Sequence, residues 1–256
     1  MAAALQQRLR RDRFAVLAGL GLVAAIGWLV LVHMSISMTS SATVVTLLPG
    51  SQHRSDGGFG LVLAMWAAMV AAMMAPATGP GLSAYLALAR RRRPQQNTMP
   101  TATVFFAGYM VAWISYAVFG ATVQWMLVKT AVLSPMGASA YLSAGILMVT
   151  GVYQLTPLKR ACVMRCRSPL LQLMSGWRDG VGGALRLGLG QGSWCVGCCW
   201  ALMALMFVVG VMNLAWMAIL TVFVLAEKLV PERWHLDEAA GLLLLAAGGW
   251  LIAGAV

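Results

Sequence analysis

Trp194-Cys195-Val196-Gly197-Cys198-Cys199-Trp200 places three cysteines within five residues of an apolar segment. In a helix, spacings of three and four put Cys195, Cys198 and Cys199 on one side, and Met203 and Met206 continue that side over the next turns. Thiolate and thioether are soft ligands, suited to monovalent copper or, for the cysteines, to zinc. A second sulfur pattern lies upstream. Met65, Met69 and Met73 recur every four residues, and at 100° per residue they fill an arc of about 80° on one helix face. The same stripe also fits methionine filling gaps between packed helices.

Cys162 and Cys166 lie in a basic stretch, Pro157 to Gly180, beside Lys159, Arg160, Arg165 and Arg167. Neighbouring cations favour the thiolate form, which serves metal capture or thiol exchange. A structural disulfide is not expected there, because the cytoplasm keeps thiols reduced. Glu227 is the carboxylate closest to an apolar span and is followed by Lys228. An ionisable group at such a position marks either function or an interfacial pair with its neighbour. Met212 stands 15 positions before Glu227, about 60° around the same helix. His33, His53 and His235 are single histidines without the helical spacing of a zinc-enzyme motif. The chain has no phosphate loop, dinucleotide fingerprint or nucleophile elbow, so no catalytic residue is assigned.

The elements that must position these groups are set by composition. Of 256 residues 61% are hydrophobic and 10% charged, with a mean hydropathy of +0.81, far from the balance of a water-soluble domain. A span needs roughly 20 apolar residues, so the length holds about seven spans and no separate soluble domain. The expected fold is all-α: a polytopic helical bundle over residues 1–256 in the bacterial inner membrane, with the lipid bilayer as its main partner.

The first span covers Phe14 to Val32. Ser35 to Gly58 has the composition of a surface loop. The second runs from Phe59 to about Ala77 and ends at Pro76, Gly79 and Pro80. Thr101 to Val128 and Ala138 to Thr156 are the third and fourth, and Pro157 to Gly180 is a loop. The stretch from Leu187 to Val230 would extend roughly 66 Å as one helix, so it divides at Gly210 to Asn213 into the fifth and sixth. Ala239 to Val256 is the seventh. With the N-terminus in the cytoplasm, 16 of the 18 lysines and arginines fall on the cytoplasmic side, leaving Arg54 and Lys129 outside. That bias supports the number of crossings and their direction. A six-span alternative merges the pair before Pro231. The net charge of +11 is therefore topogenic, and no nucleic-acid partner is expected.

Three blocks carry a family resemblance. Met65-Trp66 through Met69, Met73-Met74 and Pro76 form the first, and Tyr153-Gln154-Leu155-Thr156-Pro157-Leu158-Lys159 with Cys162, Cys166, Arg167, Ser168 and Pro169 the second. Gly192, Cys195, Gly197, Cys198, Cys199, Trp200, Leu202, Met203, Gly210, Val211, Met212, Asn213, Trp216, Met217, Glu227 and Lys228 form the third. Over roughly residues 60 to 230 the chain resembles the bacterial family of predicted metal-binding integral membrane proteins, domain of unknown function 2182. The resemblance implies a membrane protein that binds metal, and carries no activity with it.

The expected site is a buried soft-metal centre of Met65, Met69, Met73, Cys195, Cys198, Cys199, Met203, Met212 and Glu227, with Cys162 and Cys166 as a cytoplasmic loading or release point. Copper is favoured over zinc because thioethers are the commoner side chains. The role would be transport, sensing or delivery, with a metal donor or acceptor protein as partner. Two alternatives stand beside it: a membrane thiol oxidoreductase passing electrons between the two cysteine groups, and a non-catalytic assembly subunit with idle cysteines. Oligomeric state is not set by the sequence.

Overall fold

The computed structural model of the chain describes residues 2–47, 58–93, 96–130, 133–134, 137–211, 213–230 and 234–255. Its helices are α1 (Ala2–Leu47), α2 (Phe59–Met74), α3 (Gly79–Arg92), α4 (Met99–Lys129), α5 (Ala140–Gln154), α6 (Pro157–Arg167), α7 (Pro169–Ser175), α8 (Gly180–Ala204), α9 (Met206–Val209), α10 (Leu214–Leu229) and α11 (Leu236–Ala255). A two-residue antiparallel pairing, β1 (Leu133–Ser134) with β2 (Gly137–Ala138), turns the chain between α4 and α5. Every other regular element among the described residues is helical, which suits so apolar a chain, because a helix satisfies its backbone donors and acceptors within the segment itself.

Local chemistry sets where helices begin and stop. The Ser139 hydroxyl accepts from the Leu142 amide at 3.4 Å to start α5, and Thr156 accepts from the Lys159 amide at 3.3 Å to start α6, with Pro157 at its first position. Gly210, at φ +97°, turns the chain out of α9. Asn213 then caps α10 by accepting from the Trp216 amide at 3.0 Å. The expected division at Gly210 to Asn213 is therefore observed.

Four helical stretches are long and apolar enough to cross a bilayer: Arg10–Ser37 in α1, α4, Gly180–Val209 through α8 and α9, and Leu236–Gly254 in α11. A fifth arises if α2 and the segment from Pro76 to Arg92 count as one span bent by 42°. Seven apolar segments were expected and all seven are helical, but α5 and α10 have only 15 and 16 residues. They extend roughly 22 to 24 Å, less than a hydrocarbon core of about 30 Å. Caps and glycine trim them where composition alone did not.

Two other expectations are corrected and one is borne out in part. Residues 35–47, read as part of a surface loop, continue α1, while 48–57 with His53 and Arg54 lie outside the described residues. The break expected at Pro76 is observed, since α2 stops at Met74, but the chain stays helical beyond it: a 3₁₀ turn, Pro76–Thr78, leads into α3 with Pro80 in its first turn, where a missing amide costs nothing. The stretch from Pro157 to Gly180 folds as α6 and α7, since Pro157 and Pro169 each open a short helix.

α8 is the central helix: 56% of its most apolar window is buried, against 17% in α1 and 11% in α11. It packs on α4 through glycines. A Cβ at Gly188 would stand 2.0 Å from the Phe105 carbonyl oxygen, one at Gly108 2.5 Å from that of Leu185, and one at Gly192 2.8 Å from that of Tyr109. Only hydrogen at these positions lets the two backbones meet. The outward faces of the peripheral helices carry exposed Leu22, Ile26, Phe119, Val222, Leu243 and Trp250, which is compatible with a membrane protein.

Candidate metal centre

The cysteine side of α8 faces inward. Cys195, Cys198 and Cys199 are buried, and Met203 continues that side into the core, as the spacing required. α6 lies across α8 and brings Cys166 to the same place. The Sγ atoms of Cys166, Cys195 and Cys198 all fall within 4.8 Å of one another, with Cys166 and Cys198 at 3.8 Å. Three thiolates around one ion at metal–sulfur bonds of about 2.3 Å stand about 4.0 Å apart. The trio therefore fits a single soft ion with small adjustment. Cys199 Sγ is 3.2 Å from Cys198 Sγ, closer than two sulfurs sharing one ion, and Cys199 stands outside the trio.

The two cysteine groups that the sequence separates into a buried site and a loop are thus one cluster. Cys162 sits one turn before Cys166, and its Sγ would be 3.1 Å from a Cβ at Gly197. Glycine at that position leaves room for α6 to lie on α8. The expectation that the neighbouring arginines activate the loop thiols is corrected at Cys162. Burial pushes its thiol up, and Arg165 opposes that only in part. Arg165 instead stacks over Trp194 at 4.0 Å, and Arg167 donates from Nε to the Glu227 carbonyl at 2.7 Å.

Glu227 and Lys228, adjacent on α10, diverge. The Glu227 carboxylate meets Lys159 Nζ at 2.5 Å and accepts from Gln154 Nε2 at 3.4 Å, and Lys159 also donates to Gln154 Oε1. Both members of this pair are shielded, their side chains 0% and 4% exposed. Glu227 is thus engaged with Lys159, not with Lys228. Lys228 turns to the cluster, its Nζ donating to Cys195 Sγ at 2.8 Å. The Tyr109 hydroxyl of α4 lies 3.0 Å from the same sulfur and donates to the Met74 carbonyl at 3.1 Å. Sequence reading missed Tyr109, because a tyrosine in an apolar span carries no local mark of its partner, and of the two roles it left open for Glu227 the pairing with Lys228 is not the one observed.

Met65, Met69 and Met73 all face the core and are 3%, 0% and 0% exposed. With Trp66, Met74, Met203, Met206 and the five cysteines they belong to one buried cluster. The stripe is therefore inward, as its spacing required. Met212 lies outside the described residues.

A family model for copper chaperones, PpoB2, matches residues 63–251. The chain belongs to that copper chaperone family. The match agrees with the metal-related character expected from the sequence blocks. No curated protein and no solved structure matches the chain.

Proposed function

We propose that the chain is an integral protein of the bacterial inner membrane that binds monovalent copper at Cys166, Cys195 and Cys198 and passes it to an acceptor protein. The observation that supports this most is the buried three-sulfur cluster in a member of a copper chaperone family. Soft sulfur donors in a set of three suit monovalent copper, whereas a structural zinc site takes four ligands. Met65, Met69, Met73 and Met203 line the apolar approach, with Cys199 as a reserve thiolate. In this reading Glu227 does not bind the ion, because Lys159 holds its carboxylate, and Cys162 seats α6.

The proposed topology has seven crossings, α5 and α10 being the short ones, with the N-terminus in the cytoplasm. The charge bias of the connecting segments supports it. α6 then lies on the cytoplasmic side and supplies one of the three thiolates. Delivery would proceed by ligand exchange there, an acceptor thiolate replacing Cys166 before the α8 cysteines let go.

Elemental analysis of the detergent-purified protein tests the reading. About one copper per chain is expected in the wild type and none in the Cys166→Ser, Cys195→Ser, Cys198→Ser variant. Equal, negligible metal in both would sink it. The 3.8 Å approach of Cys166 to Cys198 also favours a second reading, in which the pair reduces a partner protein's disulfide: one thiolate attacks it and displaces a partner thiolate, the second cysteine then displaces the other, and the partner leaves as a dithiol while Cys166 and Cys198 become the disulfide. That reading requires trapped mixed disulfides with a partner protein, and a metal-free wild type.

A further inference from the structure

The cluster has an asymmetry that its sulfur content does not explain: one of its three thiols carries a cation. Lys228 Nζ donates to Cys195 Sγ at 2.8 Å. The neighbouring cations are engaged elsewhere. Lys159 pairs with Glu227, Arg167 holds the Glu227 carbonyl, and Arg165 stacks on Trp194. Among the described residues, Lys228 is the one cation hydrogen-bonded to a cysteine sulfur.

We infer that Lys228 selects the charge of the ion, favouring monovalent over divalent metal at Cys166, Cys195 and Cys198. This inference rests on the metal-binding reading above. Three thiolates around a monovalent ion leave a net charge of −2, and around a divalent ion −1. A buried charge is costly unless compensated, and one ammonium compensates the more negative complex more. Put from the ion's side, a divalent ion meets twice the repulsion from Lys228 that a monovalent ion meets. At a separation of about 5 Å and an effective dielectric near 20, one unit of charge changes a binding constant by roughly 250-fold. Softness alone does not separate copper(I) from zinc at thiolates, since both bind them well. A fixed cation separates them by charge.

The test is competitive titration of the purified full-length protein with copper(I) and zinc(II), repeated with silver(I) and cadmium(II) as a second soft pair. Lys228→Met removes the charge and keeps the length of the chain; Lys228→Gln removes the charge and keeps a donor for Cys195. Lys228→Arg keeps the charge. The expected result is a fall of roughly 250-fold in the ratio of monovalent to divalent affinity in both neutral variants, for both metal pairs, with Lys228→Arg near the wild type. The inference is overturned if monovalent and divalent affinities fall together, if Lys228→Arg behaves like Lys228→Met, or if Lys228→Gln keeps the wild-type ratio, which would reduce Lys228 to a hydrogen-bond donor. A wild type that binds neither ion overturns the metal-binding reading itself, a distinct outcome from bound metal with an unchanged ratio.

Discussion

The methionine face of α2 and the cysteine face of α8 have the same signature in sequence and different surroundings in the fold. Both repeat at helical spacing, both face the core, and both are buried almost completely. The cysteine sulfurs stand among one another and beside Lys228 and Tyr109. The methionines of α2 belong to the same buried cluster, but among the described residues their sulfurs take no hydrogen bond. Periodicity and burial therefore do not separate a ligand from a packing residue. What separates them is whether polar partners from other helices converge on the sulfur.

That difference breaks most sharply at the cysteines. Replacing Cys166, Cys195 and Cys198 with serine is expected to remove all bound copper while the chain still purifies as a folded species, read by elemental analysis and size exclusion. The next effect in size is structural. Lys159→Met leaves Glu227 as an uncompensated buried carboxylate, and such breaks cost about 3–5 kcal/mol. The double variant Lys159→Met, Glu227→Leu is expected to recover most of that loss in detergent unfolding, since neither charge is then stranded. A double variant no more stable than the single would show that the pair does not work as a unit.

Met69→Leu and Met73→Leu should change stability by less than about 1.5 kcal/mol, because the swap conserves volume. Copper stoichiometry is expected to stay at the wild-type value, with slower loading in stopped-flow uptake. A loss of stoichiometry would promote the methionines from approach to ligand and erase the contrast between the two faces. The smallest effect concerns Cys162. Because burial raises its thiol, the folded chain holds that proton more tightly than the unfolded one. Its stabilising contribution is complete below the ordinary thiol range and is lost as pH rises through the folded value. Maleimide labelling of a variant retaining only Cys162 should accordingly be slower at pH 7.5 than that of an exposed cysteine, and should accelerate toward alkaline pH. Equal rates would place the thiol in an open setting.

Much of this was legible in the residues. Apolar segments gave helices, Gly210 and Asn213 gave the division before α10, and the spacing of Cys195, Cys198 and Cys199 gave their common inward face. The helical form of residues 157–175 was not legible: the basic stretch read as a loop, whereas Pro157 and Pro169 occupy first-turn positions that open short helices. Cys166 joining the buried trio was out of reach for a different reason. It depends on α6 lying down on α8, a tertiary event with no periodic trace. Glu227 and Lys228 show the same limit. Adjacent residues on a helix point about 100° apart, so neighbours in the chain are poor guides to partners in space.

The glycine seam between α4 and α8 has a consequence for evolution as well as for packing. At Gly108, Gly188 and Gly192 the backbones themselves touch, so no side chain can be trimmed or rotated to let the two helices slide. The wall bearing Cys195 and Cys198 is thus a fixed die, and the eleven residues of α6 are the exchangeable insert. A lineage that needed a different cargo or a different recipient could rewrite that insert without recutting the die.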